Sequence, residues 1–371
     1  MISRALAALT LCPECRAPLE LVDTSLGGPE GPPHVRCPSC GRTFDGSKGY
    51  LDLRPRAAFD EQTKYLDEAL HADARHETVA PPVLGSRIRN HMLRKFLELG
   101  PSDHALDLGC GSGRALIWNR GTGATLTGVD ISPFFAREAL DECELVLGDL
   151  RRLPLRDAAF GKAWSLDVFE HLSPDALREV LREAHRVLAP NGALFIYTHV
   201  RKNGWIAGSV RFVNRFARWC ERLGLLDLRQ ERLRKSDHLN PIADHDELRR
   251  LVSESGLTLE RITYYTPVIG SFVENVAVRM AEHLMVRRAE RRRVPVVPGV
   301  PGVPDLPAAA RARASAKARI RAGGLTYFGL RALTALMMLD VWLFGRLESG
   351  PFFALLRKGP GPRAPGQRPG A

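Results

Sequence analysis

The stretch LDLGCGSGR, residues 106–114, decides the fold of this chain of 371 residues. It follows an apolar, strand-like run and carries a D-x-G-x-G-x-G pattern, whose fixed positions are Asp107, Gly109, Gly111 and Gly113. Glycine allows positive φ angles and a close approach of the backbone to a ligand. The stretch therefore predicts a tight turn from a strand into a helix, with a ligand held against the turn.

Acidic residues follow the next three strand-like runs in the same way. Asp130 ends GVDIS, Asp149 lies in GDL, and Asp167 lies in SLDVFEHL. Because the carboxyl ends of parallel strands meet at one edge of a sheet, we expect these acids to line a crevice at the topological switch point. Any one of them alone would be an ordinary loop acid, whereas the set predicts a nucleoside site.

The wider pattern places these turns in a doubly wound sheet. Apolar runs alternate with helical patterns between residues 104 and 266, and the runs are HALDL, TLTGVD, ELVL, KAWSLD, ALFIYT and LTLERITYY. Such alternation is typical of a mostly parallel sheet with helices on both faces. We therefore predict a Rossmann-like α/β core over residues 101–269, completed by a last core strand at residues 351–358.

The remaining chain is assigned to appendages. Residues 56–100 are predicted to form a helical N-terminal extension, and residues 270–350 a helical insert before the last strand. Within the insert, the basic stretch 288–307 is rich in proline and glycine and predicts a disordered linker, and residues 359–371 predict a disordered tail. The net charge of +11 is concentrated in the insert and the tail, so the rest of the chain is almost neutral.

Two C-x-x-C pairs in residues 1–55 indicate metal ligands. Cys12 and Cys15 form the first pair, and Cys37 and Cys40 form the second. Four thiolates at this spacing are typical of a tetrahedral structural zinc site, which a short module needs because it cannot bury enough apolar area. We predict a zinc ribbon with a core separate from the catalytic core, and redox cysteines are the alternative.

Dinucleotide oxidoreductases share this fold, but their G-x-G-x-x-G fingerprint needs a third glycine where this chain has Arg114. The chain instead resembles the class I S-adenosylmethionine-dependent methyltransferases, in particular the ubiquinone and menaquinone C- and O-methyltransferases. The resemblance covers residues 105–198 through LDLGCGSGR, GVDIS, GDLRRLPLRDAAF, DVFEHL and LREAHRVLAPNGALFIYT. It implies S-adenosylmethionine as the cofactor and methyl transfer as the reaction.

The resemblance also implies how the cofactor is held. Asp107 and the three glycines of the turn would bind the methionine part. Asp130, with Ile131 beside it, would bind the ribose hydroxyls, and a carboxylate discriminates strongly here because leaving two hydroxyl hydrogen bonds unmade is costly. Asp149 and the amide of Leu150 would contact the adenine.

The reacting end of the crevice is less constrained. The resemblance places Asp167 at the amino-acid end of the cofactor. Because the cofactor supplies an activated methyl group, alignment of the acceptor is the main task and a general base is optional. His171, in the EHL segment, is the candidate for that base, and packing at a helix start is its alternative role.

The acceptor stays open between three alternatives. The cysteine module, ending FDGSKGYLDLRP, resembles that of bacterial 23S rRNA guanine-N1 methyltransferases, which favours an RNA base. The almost neutral body and the lack of an N-P-P-Y-type motif favour a small, hydrophobic or lipid-linked acceptor, methylated on oxygen or carbon. The third alternative is a non-catalytic scaffold that binds S-adenosylmethionine, and the intact set of acids argues against it.

An apolar run over residues 325–344 bears on localisation. Arg331 and Asp340 interrupt the run and leave too few uncharged residues for a membrane span, which needs about 20. With the basic segment before it, the run predicts either a lid over the active site or a peripheral contact with an anionic membrane. The first residues lack a long apolar region and a cleavage site, so we expect the protein in the cytoplasm, including the inner surface of the membrane.

Overall fold

The computed structural model describes residues 2–22, 34–55, 79–202, 204–228, 238–291 and 324–361. A small antiparallel sheet comes first and contains β1 (Glu20–Val22), β2 (His34–Arg36) and β3 (Thr43–Asp45). The main sheet has eight strands, which are β4 (Leu51–Asp52), β5 (His104–Leu108), β6 (Thr125–Asp130), β7 (Glu144–Leu147), β8 (Phe160–Leu166), β9 (Leu188–His199), β10 (Leu257–Tyr264) and β11 (Pro351–Lys358).

The order across the main sheet is β10-β11-β9-β8-β5-β6-β7-β4. The strands from β9 to β4 pair in parallel, and β11 lies antiparallel to both β9 and β10. The predicted Rossmann-like, mostly parallel fold is confirmed. The last strand comes after the insert in the chain, as the sequence predicts. Its place between β9 and β10 was not predicted.

Helices cover both faces of this sheet. They are α1 (Arg4–Leu9), α2 (Leu84–Leu97), α3 (Arg114–Asn119), α4 (Arg137–Glu142), α5 (Pro174–Val187), α6 (Ala207–Arg222), α7 (His245–Glu254), α8 (Val268–Phe272), α9 (Arg279–Arg291) and α10 (Leu325–Phe344), with a π-helical segment, Val273–Val278, between α8 and α9. Side chains of α5 and α7 join one apolar core, and side chains of α2, α3, α4 and α10 join a second. The sheet separates the two cores, so the molecule has three layers.

Local chemistry explains where two of the helices start. Ser173 caps α5, because its hydroxyl accepts a hydrogen bond from the Ala176 amide, and Pro174 at the first helical position has a φ suited to a helix. Asp244 caps α7 through the amide of Glu247. These caps fix where the two helices begin, and both helices pack into one core on the same face of the sheet, before β9 and β10 in the chain.

The cysteine module does not have the separate core that the sequence predicts. Buried Cys12, Cys37 and Phe44 belong to the same apolar cluster as Leu153 and Leu155 of the main domain. The Leu11 amide donates to the Pro154 carbonyl at 2.9 Å. The β4 strand, which lies within residues 1–55, pairs with β7 at the edge of the main sheet. The prediction failed because a spacing of cysteines carries no information about the surface on which the module packs.

The described part of the insert is helical, as predicted. Helix α9 continues to Arg291, so it includes the start of the stretch 288–307 that the sequence assigns to a linker. The rest of that linker lies outside the described residues, as do residues 56–78 of the predicted extension and 362–371 of the predicted tail.

One described helix, Thr326–Phe344, is long and apolar enough to cross a membrane by length and composition alone. Two of its polar residues, Thr334 and Asp340, are buried against protein, whereas Thr326 and Arg331 are exposed. The buried Asp340 carboxylate accepts hydrogen bonds from the Ile269 and Gly270 amides at 3.0 and 2.7 Å. The buried Thr334 hydroxyl accepts from the Leu84 amide at 2.8 Å. These contacts hold one side of α10 against α8 and α2.

Candidate cofactor crevice and cysteine cluster

The glycine-rich turn between β5 and α3 has the geometry that its sequence predicts. Gly109, Gly111 and Gly113 all have positive φ, at 80°, 53° and 81°. A Cβ at Gly109 would lie 2.5 Å from Val168, and one at Gly113 would lie 2.5 Å from Ala139. At Gly111 no other atom lies within 4 Å of that position. Two of the glycines are therefore required by packing, and the third borders open space where a ligand can approach the backbone.

The Asp130 carboxylate lies at the end of β6, beside this open space. One oxygen accepts from the Gly111 amide at 2.7 Å, and the other accepts from the Ser132 amide at 2.8 Å. Burial raises the pKa of Asp130, and these amide donors oppose the rise. The Ser132 hydroxyl and the Ile131 amide are further donors to this carboxylate. Each carboxylate oxygen can accept more than one hydrogen bond, so ribose hydroxyls bound here would share its acceptors with these groups. Ile131 is half-buried next to it.

Asp107 is buried under the turn, at 2% exposure. Burial raises the pKa of this carboxyl to about 8, the negative charge of Asp130 adds to the rise, and the Trp164 indole opposes it. A buried carboxyl with so few donors favours the neutral form. A cationic or hydrogen-donating ligand in the crevice would favour the ionised form of Asp107.

This burial predicts a pH dependence of the free protein's stability. An unfolded Asp ionises near pH 4, so the folded state binds an extra proton from about pH 4 to about pH 8. The free energy of unfolding should therefore fall as pH rises through that window, by up to about 1.4 kcal/mol per pH unit. Urea unfolding between about pH 6 and about pH 8 should show a slope in Asp107→Asn that is flatter than that of the wild type by up to this amount, and the buried Glu170 contributes equally to both. Equal slopes would contradict the assignment.

Asp149 and Leu150 lie at the end of β7, where the sequence places them. The Asp149 carboxylate accepts from the Arg151 amide at 2.9 Å and from its guanidinium Nε at 3.0 and 3.1 Å. Leu150 begins a single 3-10 turn. The carboxylate is thus engaged by a neighbour two residues on, so an adenine bound here would share its acceptors with Arg151.

Asp167 forms an ion pair that the sequence analysis did not foresee. Its φ is 56°, an uncommon conformation for a residue with a side chain. The carboxylate lies 3.3 Å from Nε of Arg89, which comes from α2 and also stacks over the Tyr197 ring. Burial alone would lower the pKa of Arg89, but the charge of Asp167 raises it above its usual value. This pair joins the extension to the crevice.

His171 lies in a group of titratable residues next to that pair. Its ring meets the His238 ring edge to face at 4.7 Å, and the His199 ring lies 5.4 Å from His238. Glu170 is buried and accepts from the Thr198 hydroxyl at 3.0 Å, and burial raises its pKa to about 8. Atoms of Glu170, His171 and His238 are close enough together to ligate one metal ion. His171, the residue that the sequence analysis names as a candidate base, is thus part of a group of titratable side chains.

The four predicted cysteine ligands converge. Their Sγ atoms all lie within 4.8 Å of one another. Cys12 is 3.7 Å from Cys40, and Cys15 is 3.4 Å from Cys37. Zn–S bonds of about 2.3 Å in a tetrahedron would put sulfur atoms about 3.8 Å apart. The arrangement fits a four-thiolate metal site.

A comparison with known protein families finds a match in sequence that includes the crevice residues Asp107, Asp130, Asp149 and Asp167. Residues 106–196 match the sequence profile described as a methyltransferase domain. These residues are a methyltransferase domain. The matched range contains the glycine turn, the acidic strand ends Asp130, Asp149 and Asp167, and most of strand β9, which are the elements that the sequence singles out. Its fold is Rossmann-like, with a mostly parallel sheet.

Curated relatives match only part of the chain. A sterol 4-C-methyltransferase of Caenorhabditis elegans is 33% identical over 124 residues, which cover 31% of this chain and 36% of that protein. A malonyl-[acyl-carrier protein] O-methyltransferase of Dechloromonas aromatica is 35% identical over 99 residues, covering 26% of this chain and 36% of that protein. The chain thus spans about a third of each of these two relatives.

Solved structures were compared as well. A geranyl diphosphate C-methyltransferase from Streptomyces coelicolor A3(2) aligns with 80% of this chain and 100% of that one, at 13% identity and a TM-score of 0.41. A putative sarcosine dimethylglycine methyltransferase from Galdieria sulphuraria aligns with 74% of this chain and 86% of that one, at 18% identity and a TM-score of 0.40.

Two of the residues near the methyltransferase domain's crevice were missed by the sequence analysis. Glu170 gives a signal in hindsight, because an acid beside Phe169 in an apolar segment indicates a buried carboxyl. Arg89 gives none, because it is one of several basic residues on a polar helix. Trp205 and Trp219 are 83% and 53% exposed.

Proposed function

We propose that the chain transfers a methyl group from S-adenosylmethionine to a small, hydrophobic or lipid-linked acceptor, on oxygen or carbon. The observation that carries this proposal is the open space at Gly111 with the Asp130 carboxylate beside it. A Cβ would fill that space, so the turn suits a ligand that contacts the backbone. The methyltransferase domain profile over residues 106–196 supports the same ligand.

In this proposal the crevice residues bind and orient S-adenosylmethionine. Asp130 accepts hydrogen bonds from the ribose hydroxyls, and the amide groups of the glycine turn lie along the methionine part. Asp107 lies under the turn, and Asp149 and Leu150 contact the adenine. Asp167 lies at the amino-acid end of the cofactor. The bound cofactor supplies a methyl group activated by its sulfonium, so the protein's main contribution is alignment of the acceptor.

The surroundings of the reacting end favour an apolar acceptor. Tyr197 and the buried Tyr265 pack near each other with ring centroids 6.4 Å apart, and Arg89 covers Tyr197. The insert contacts α2, the helix that carries Arg89, because Glu274 of the insert accepts a hydrogen bond from the Gly85 amide of α2 at 3.0 Å. We assign the insert to control of acceptor entry, and His171 to removal of a proton from an acceptor that carries one.

We further propose that the cysteine cluster holds one structural zinc ion. Four sulfur ligands and no described open ligand position are typical of structural rather than catalytic zinc. Cys12 and Cys37 are buried against the main core, and Cys15 and Cys40 are exposed. The metal would thereby stabilise the packing of the module on the methyltransferase domain.

The acceptor class can be tested with tritiated S-adenosylmethionine. The full chain is incubated separately with a bacterial lipid extract, a soluble metabolite extract and total RNA, and incorporated tritium is counted. The proposal expects label in material that organic solvent extracts, and no label with Asp130→Ala. Label in RNA alone would replace it with the RNA alternative, and absence of label from all three would favour a non-catalytic scaffold.

The open space at Gly111 makes a second prediction. In Gly111→Ala a methyl group should project into the crevice, so we expect affinity for S-adenosylmethionine to fall at least tenfold. Gly41→Ala is a matched control, because Gly41 also has positive φ, at 74°, and no atom within 4 Å, but lies in the cysteine module. Both variants should lose about 1 kcal/mol of stability from backbone strain. Equal effects of the two on affinity, measured by calorimetry, would contradict the proposed binding mode.

A further inference from the structure

Helix α6 carries an exposed apolar stripe along its length. Phe212, Phe216, Trp219 and Leu223 are spaced so that they share one face of the helix, and all four are exposed. The Phe216 and Trp219 rings lie 5.7 Å apart. Four large apolar side chains in a continuous exposed row are more than the scattered apolar residues of an ordinary surface.

A basic stripe runs beside the apolar one. Each apolar residue of the row directly follows an exposed arginine, and these are Arg211, Arg215, Arg218 and Arg222. The one acid of the helix, Glu221, turns back and accepts a hydrogen bond from the Leu228 amide at 3.0 Å. The exposed surface of α6 is therefore apolar along one line and positive along the next.

The opposite side of α6 packs against protein. Ala217 and Cys220 are buried with Leu226, Leu228 and Val276 in a small apolar cluster of their own. Asn214 accepts a hydrogen bond from the side-chain amide of Asn275 at 2.9 Å. These contacts fix the rotation of the helix about its axis, so its two stripes face outward as a consequence of the fold.

Apolar exposure continues on neighbouring helices. Both α6 and α10 contact α8, whose Phe272 is exposed. The described exposed side of α10 contains Phe328, Leu336, Leu339 and the 80% exposed Trp342, while Asp340 and Thr334 face inward. Trp205 precedes α6, and Gly204 next to it lies against the backbone of Glu348 near the end of α10.

The charge pattern of α6 distinguishes between three possible partners of its exposed surface, which are a second copy of the chain, RNA and an anionic bilayer. A second copy of α6 would bring eight arginines together, and like charges across an interface are costly. RNA would satisfy the arginines and stack on the aromatic rings, but it offers nothing to leucine side chains such as Leu223, Leu336 and Leu339. An anionic bilayer satisfies both stripes, because its acyl boundary accepts the apolar row and its headgroups accept the arginines.

We propose that α6 is an in-plane membrane anchor that docks the chain on an anionic lipid surface, with its apolar row at the acyl boundary and its arginines among the headgroups. This inference goes beyond the proposed methyl transfer and does not depend on it. It also differs from the contact predicted for the insert, because α6 lies before the insert. Strand β9 ends at His199, beside the candidate proton-transfer group, and α6 begins at Ala207.

Vesicle co-sedimentation tests the anchor in the full chain. The probes are vesicles of phosphatidylglycerol with phosphatidylcholine, and vesicles of phosphatidylcholine alone. We expect binding to the first that weakens as salt rises, and at least tenfold weaker binding to the second. Phe212→Ser/Phe216→Ser/Trp219→Ser should lower binding to anionic vesicles at least tenfold. Arg211→Gln/Arg215→Gln/Arg218→Gln should lower it about 100-fold at low salt, since each arginine contributes about a factor of five.

A matched control removes the same charge elsewhere. Arg182→Gln/Arg249→Gln/Arg250→Gln alters three exposed arginines of α5 and α7, and should change vesicle binding less than threefold. The anchor is overturned if the α6 variants bind like this control, or if the wild type ignores anionic vesicles. The anchor is also overturned if the wild type is a dimer that Phe212→Ser/Phe216→Ser/Trp219→Ser converts to a monomer. Steeply salt-sensitive binding of RNA without binding of vesicles would overturn it as well. Calorimetry with S-adenosylmethionine on each variant separates failure of the anchor from failure of the cofactor site.

Discussion

Asp130→Ala is expected to weaken binding of S-adenosylmethionine by at least 100-fold. Two hydroxyl hydrogen bonds to a carboxylate are each worth about 1.5–3 kcal/mol, and the substitution removes both acceptors. It also frees the Gly111 amide, which Asp130 holds at 2.7 Å, so the glycine turn loses part of its order. Isothermal titration calorimetry on the full chain measures the change directly.

Two further variants separate these contributions. Asp130→Asn keeps one acceptor oxygen and should lose less affinity than Asp130→Ala. Asp141→Ala removes an acid with a 66% exposed side chain from α4 and should leave affinity unchanged. If Asp130→Ala bound S-adenosylmethionine within threefold of the wild type, the ribose assignment would be wrong.

The second large effect concerns the cysteine cluster. Cys37→Ser is expected to lower the melting temperature of the whole chain by about 10 °C or more, because it removes a ligand from the proposed zinc site, whose binding free energy would contribute to folding. Cys37 is fully buried in the core that also holds Leu106 and Leu153. Loss of the proposed zinc ion should therefore disturb the methyltransferase domain as well, and unfolding should remain a single transition.

Cys143→Ser is the matched control for this change. Cys143 is a half-buried thiol outside the cluster, so its replacement should shift melting by only a few degrees and leave the metal content unchanged. Differential scanning calorimetry and metal analysis of reduced protein provide the readouts. A variant that loses its metal but keeps the wild-type melting temperature and cofactor affinity would show that the two units fold separately.

Local sequence patterns were sufficient to predict the glycine turn and the positions of the acidic residues at the strand ends. The glycine pattern specifies backbone angles that only glycine adopts easily, and the strand-ending acids follow from strand periodicity. Both features can therefore be predicted without knowing which distant residues are in contact. The strand at residues 351–358 was also predictable, because its apolar run stands alone between an insert and a polar tail.

Features that depend on how elements dock were not predictable. The pairing of Arg89 with Asp167 needs α2 to lie over the crevice, and no local pattern states that. The joining of β4 to β7 depends on where the module rests. The stripes of α6 are visible in the letters RF, RF, RW and RL, but only the structure says which side of the helix is covered.

The most direct measurement is a pair of calorimetric titrations of the wild-type chain, one with S-adenosylmethionine and one with NAD. Both ligands carry a ribose for Asp130, but only dinucleotide sites need the third glycine that Arg114 replaces. Saturable binding of S-adenosylmethionine at least 100-fold tighter than that of NAD is the predicted result. Tighter binding of NAD, or no binding of S-adenosylmethionine, would contradict the assignment of this crevice to methyl transfer.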